Sequence, residues 1–99
     1  MSYEETVMAD ARLRVLRLLA ETPVYTLNEV VLRGRLAEQF GHNLGRDKLR
    51  TELTWLDEQG LVTVQTPGGV WLVTLNSRGA DVAKGIATTP GVAHLLPGE

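Results

Sequence analysis

The sequence predicts a small, mainly helical α+β domain: three helices, a two-stranded β-hairpin and a short closing helix. Three observations predict it. Apolar residues recur at helical spacing in three segments before Gly60. Gly68-Gly69 separates two strand-like runs, LVTVQT and VWLVTL. Asn76 and Ser77 then offer a cap to a fourth helical segment. Ninety-nine residues with 43% apolar and 22% charged side chains suit one ordinary globular domain. Residues 1–87 are assigned to that domain and residues 88–99 to a flexible tail.

The first helix runs from about Ser2 to Ala20 and stops before Pro23. Val7, Met8, Ala11, Val15, Leu18 and Leu19 follow one face, while Leu13, Leu16 and Ala20 fall on a second arc. An apolar surface this wide contacts more than one element. Either the C-terminal segment packs on it, or a second subunit does, making a homodimer through helix 2–20 and the C-terminal segment. Pro23, Val24 and Tyr25 read as an extended connection. Thr26 and Glu29 have the spacing of a capping box that opens TLNEVVLRGRLAEQF. Leu32, Leu36 and Phe40 face the core, Gly34 permits close packing, and Gly41 stops the helix.

A brief turn, HNLG, leads into GRDKLRTELTWLDEQGLV. Gly45 is the N-cap, and Leu44 with Leu49 sits at the two positions of a hydrophobic staple. Leu49, Leu53 and Leu56 form the buried stripe, with Arg50, Thr51, Thr54 and Asp47 opposite. A two-residue loop at Gly68-Gly69 sets Thr66 against Trp71, Val64 against Val73 and Val62 against Leu75. A slip of one residue would scatter the apolar set over both faces. In RGADVAKGIA, Val82 and Ile86 are spaced to touch one neighbour, and in the tail Val92, Leu95 and Leu96 could dock in an oligomer.

Composition excludes several functions. The chain has no cysteine, which removes disulfides, thiolate metal sites and a cysteine nucleophile. His42 and His94 alone make neither a metal site nor a catalytic constellation, and no glycine pattern cradles phosphate, so no enzyme and no cofactor is expected. No apolar run is long enough for a bilayer and MSYEETVMADARL lacks a signal-peptide core, so the expected location is cytoplasmic. The net charge of −2 is unlike a generic nucleic-acid binder, but charge is segregated. Residues 33–50 hold Arg33, Arg35, Arg46, Lys48 and Arg50 against Glu38 and Asp47, a net +3 that leaves −5 elsewhere.

Two helices joined by a brief turn, the second running straight into a hairpin, describe a winged helix-turn-helix. LRTELTWLDEQGLV followed by a hairpin and LVTLNSRGADVA resembles the "EL..L...GLV … LT..G..VA" pattern of winged-helix regulators, with Asn76 where many have a nearby Thr or Ser. Over about residues 8–85 the chain resembles the small winged-helix proteins of Mu-like phages and prophages, loosely described as ArsR-like regulators. The resemblance implies that residues 45–59 are a recognition helix and residues 61–75 a wing. The Cys- or His-rich sites of ArsR metal sensors have no counterpart here, and metal sensing is rejected.

The implied partner is double-stranded DNA, in the service of transcription regulation. Arg46, Lys48 and Arg50 would hold phosphates, Thr51 and Thr54 would make short contacts, and Arg33 and Arg35 would meet the backbone from the preceding helix. The bland alternative makes all five cations solvating residues, several paired with Glu38, Asp47 or Glu52; the chain would then be a protein-binding adaptor. The hairpin tip carries no cation, and Asp57 with Glu58 would repel phosphate at the far end of the helix. Trp55 either fills the junction of helix and hairpin or touches a partner. Trp71 is read as core, and His42 as a solvent-exposed turn residue.

Overall fold

The computed structural model of the chain describes residues 2–94. In order they form α1 (Tyr3–Ala20), β1 (Thr26–Asn28), α2 (Glu29–Phe40), α3 (Arg46–Glu58), β2 (Val62–Gln65), β3 (Leu72–Leu75) and α4 (Ser77–Ala83). The result is a mainly helical α+β architecture with four α-helices and an antiparallel sheet of order β1-β3-β2. Among the described residues no helix is long and apolar enough to cross a membrane.

β1 corrects the two-strand expectation. Leu27 pairs with Val73, and the Thr26 and Thr74 hydroxyls bond across the ladder at 2.9 Å. A three-residue strand shows no readable alternation, so periodicity passes over it. The expected capping box fails for the same reason, because Thr26 lies in the sheet. Asn28 is the N-cap of α2 instead, its carboxamide oxygen accepting from the Val31 amide at 2.9 Å. Glu29 is thereby left to find another partner. The connection before β1 is not extended either: Val24 and Tyr25 have φ of 60° and 56°, a left-handed turn that reverses the chain.

The other elements follow their residue spacing closely. Gly45 opens α3, Leu49, Leu53 and Leu56 are fully buried, and Leu44 packs beside them. Gly41 closes α2 at φ 70°. The hairpin register pairs Val62 with Leu75 and Val64 with Val73 as the loop chemistry requires. Its turn, Pro67–Gly69, has Gly68 at φ 59° and Gly69 at φ 88°. β2 is an outer strand, and the Val64 amide donates to the Asp57 carboxylate at 2.8 Å.

Both arcs of α1 are used within the chain. Ala9, Ala11, Leu13, Val15, Leu16, Leu18 and Leu19 are buried, and α2, β3 and α4 pack on this helix. Residues 88–94, expected to be a flexible tail, lie along its N-terminal half. Ala93 donates to the Ala9 carbonyl at 3.0 Å, Arg12 Nη1 donates to the Gly91 carbonyl at 2.9 Å, and Val92 packs on the core. Of the tail residues considered for docking, Leu95 and Leu96 lie outside the described residues. The width of the apolar surface is therefore filled by this chain itself. Tyr3 remains 83% exposed at the tip of α1, with Val7 and Met8 half-buried.

Close packing occurs at a different glycine from the one that spacing suggests. Gly34 has nothing within 4 Å of where a Cβ would stand, so no close packing occurs there. Gly79 is the tight position: a Cβ would lie 2.1 Å from the Leu61 carbonyl oxygen and 2.7 Å from Leu75 Cδ1. At the start of α4, the Asn76 side chain accepts from the Thr63 hydroxyl at 2.9 Å and does not cap the helix. Val82 is buried as expected, but Ile86 lies beyond the end of α4 and is 72% exposed.

These two positions give opposite expectations in urea unfolding. Gly79→Ala should lower stability by about 1–3 kcal/mol through overpacking. Gly34→Ala should raise it by about 0.5–1 kcal/mol, since alanine is the better helix former and meets no obstacle.

Candidate nucleic-acid interface

The first turns of α2 and α3 lie side by side, with the hairpin turn across from them. Glu29 sits at the start of α2 and is only 4% exposed. Its carboxylate takes a bidentate grip from Arg50 of α3, Nε to Oε1 at 2.7 Å and Nη2 to Oε2 at 2.6 Å. The Trp71 amide donates to the same Oε2 at 2.8 Å. Arg50 Nη2 also donates to the Gly69 carbonyl at 2.8 Å, and the guanidinium lies 4.8 Å from the centre of the Trp71 ring. One ion pair thus joins α2, α3 and both sides of the hairpin turn.

Electrostatics follow from that geometry. Hydrogen bonds from Arg50 hold the Glu29 carboxyl at about 2, against the upward push of burial. The Trp71 amide and the charges of Arg50 and Arg46 act in the same lowering direction. Arg50 is raised from its ordinary value, chiefly by the same hydrogen bonds.

The pairing changes which cations face solvent. Arg50 was expected to hold phosphate, and its charge is instead engaged by Glu29. Lys48 is half exposed and reaches Glu52 Oε2 at 3.2 Å, four residues along α3. Glu52, 4% exposed, is held on its other oxygen by Arg12 Nε of α1 at 2.6 Å. Arg33, Arg35 and Arg46 are exposed and form no ion pair among the described residues. Arg33 and Arg46 line one groove of about 290 Å³ between α2, α3 and the hairpin turn. Val30 and Val70 line it too, and both are exposed.

Thr51 and Thr54 are exposed on the outward face of α3. Each hydroxyl donates back to the helix, Thr51 to the Asp47 carbonyl at 3.0 Å and Thr54 to the Arg50 carbonyl at 2.8 Å. Their oxygen lone pairs and methyl groups are what they offer outward. Both border an open depression of about 410 Å³ together with Trp55, Trp71 and Glu58. Asp57, which was expected only to repel phosphate, is engaged by the Val64 amide.

The aromatic residues are placed by arginines. Trp55 lies against Arg12, 4.3 Å from guanidinium carbon to ring centre, and a Cβ at Gly91 would meet its ring at 2.8 Å. It therefore joins α3 to α1 and the C-terminal segment. Trp71 is half-buried: it packs against the edge of the core and lies under the Arg50 guanidinium. His42 is not free in the turn: its Nε2 lies 2.7 Å from Asp10 Oδ2, with the side chain 10% exposed. The spacing names Glu52 as a partner for the cations of α3, the pair that Lys48 makes, but gives no sign that Glu29 and Arg12 organise this region. Their partners lie 21 and 40 residues away, beyond any local pattern.

No family model matches the chain, and no solved structure matches it. Two curated proteins are similar. The uncharacterized protein gp26 of Escherichia phage Mu is 44% identical over 88 residues, covering 89% of this chain and 90% of gp26. An uncharacterized protein of Haemophilus influenzae is 45% identical over 65 residues, covering 66% of this chain and 62% of that protein.

The Glu29 carboxyl gives an acid signature. Its native value lies below the ordinary 4.5, so the pair's contribution is complete above about 4.5 and gone once pH falls through about 2. In urea unfolding across that range, the stability gap between wild type and Glu29→Gln should narrow from pH 4.5 downward and close near 2.

Proposed function

We propose that this chain, which belongs to the family of the phage Mu protein gp26, is a winged-helix DNA-binding protein that regulates phage or prophage transcription. The observation that carries the reading is the placement of Arg33 and Arg46. Both are exposed, form no ion pair among the described residues, and line one groove between α2 and α3 beside Arg50, while Arg35 is exposed elsewhere on α2. The element order supports it as well: a helix, a short strand, two helices and a hairpin whose second strand pairs with the first strand.

In this reading α3 enters the major groove and offers Thr51 and Thr54 to base edges. Arg33, Arg35 and Arg46 neutralise phosphates, each releasing condensed counterions. Lys48 joins them by leaving Glu52, which keeps its bond to Arg12. The wing approaches through Val70 and the glycines of its turn, since it carries no cation. Two copies binding one turn of duplex apart would double the contacts of a chain whose net charge is −2. Exposed Tyr3, with Val7 and Met8, is the apolar surface that α1 leaves for such a pairing.

A second reading has its own observation. Val30 and Val70 are exposed on the rim of the groove that holds Arg33 and Arg46. An apolar rim around cations suits a protein segment, and the chain would then be an adaptor.

Titration with duplex DNA at low salt, followed by amide resonances, separates the two. The DNA reading expects shifts at Arg33, Arg35, Arg46, Thr51 and Thr54, and affinity that falls linearly in log–log form as salt rises. Arg33→Gln and Arg46→Gln should each lower that slope by about one. Unchanged spectra with diverse duplexes would favour the adaptor.

A further inference from the structure

Arg50 stands where a recognition helix would present a phosphate-binding cation, yet its bonds run inward. Two of its nitrogens are committed to Glu29, one of them also to the Gly69 carbonyl, and its plane lies over Trp71. Glu29 in turn holds the Trp71 amide. The turn between β2 and β3 is therefore gripped at Gly69 and at Trp71, on either side of exposed Val70. β1 pairs with β3 from Thr74 to Leu72, and the Glu29 amide donates to the Trp71 carbonyl at 2.9 Å, so the base of the hairpin is held by backbone bonds. Its turn, beyond Trp71, is held by one guanidinium and one carboxylate from two different helices.

We propose that Glu29 and Arg50 are positioning residues for the wing, setting duplex affinity by fixing the hairpin tip against α3 without contacting the duplex themselves. The inference rests on the DNA-binding reading and deepens it. A geometric argument supports the choice of arginine. Its planar fork meets both carboxylate oxygens and leaves a hydrogen for a backbone carbonyl, which a lysine ammonium cannot reproduce in one orientation. The groove beside the pair keeps Arg33 and Arg46 for the partner.

The sign of one substitution tests this. Glu29→Gln removes a negative charge close to Arg33 and Arg46, so simple electrostatics expects tighter DNA binding. Positioning expects the opposite: affinity weaker by about tenfold, the loss of one good contact, with the salt slope unchanged. Arg50→Lys, which keeps the charge and leaves no carboxylate unpaired, should weaken binding in the same way. Amide hydrogen exchange should quicken at residues 66–71 in both variants while α1 and α3 stay protected.

Tighter or unchanged binding by Glu29→Gln would overturn the proposal. So would a slope steeper by about one, which would mean that the released Arg50 had taken a phosphate. If Glu29→Gln does not fold, Arg50→Lys decides on the same readouts; faster exchange spread over the whole chain would mark a general loss of stability and overturn the positioning role. Should the wild-type chain bind no duplex, the DNA reading falls, and exchange confined to residues 66–71 still decides whether the pair fixes the wing.

Discussion

A carboxylate withdrawn from water needs a cation and enough hydrogen bonds to replace its hydration. Glu29 obtains both from outside its own helix, and the relative placement of three elements follows. Arg50 fixes the distance between the first turns of α2 and α3, and Gly69 and Trp71 bring the hairpin to the same point. Removing either ion would strand the other, so the two residues act as one unit.

A second buried acid repeats this arrangement on the other side of α3. Glu52 bonds Arg12 of α1 and Lys48 of its own helix, while Arg12 continues to the Gly91 carbonyl and stacks on Trp55. In both places an arginine meets a carboxylate, a backbone carbonyl and a tryptophan face together. Its planar head allows all three contacts in one orientation. α3 is thus fastened to the sheet through Arg50 and to α1 through Glu52. Around α3, the cations left on the surface are those at its start and on α2, with Arg78 and Lys84 exposed elsewhere. The candidate interface is in this sense what remains after the acids have chosen their partners.

Much of the fold is legible in the residues themselves. The leucines of α3, the glycine that closes α2, and the hairpin register all follow from local spacing and turn chemistry, and each appears where expected. β1 was not legible, since three residues carry no period and its partner strand lies more than forty residues later. At the candidate site, the outward position of Thr51 and Thr54 and the exposure of Arg33, Arg35 and Arg46 could be read from helix faces. The fate of Arg50 could not. An arginine on a polar face looks the same whether it meets solvent or a carboxylate on another helix, and the capping-box spacing from Thr26 offered Glu29 a local partner that the fold withholds. The apolar breadth of α1 was visible, but its cover was not: residues 88–94 have two prolines' worth of irregularity nearby and no periodicity to reveal docking.

The bond between Asp57 and the Val64 amide bears on how the chain behaves when crowded with copies of itself. An outer strand with unpaired amides is a template onto which another polypeptide can add, and small sheets are prone to this. Here a side chain from the preceding helix already occupies such a donor on β2 and sets a negative charge beside it. Ribbon-to-ribbon stacking of neighbouring molecules along this margin is thereby discouraged, and any self-association is directed to other surfaces.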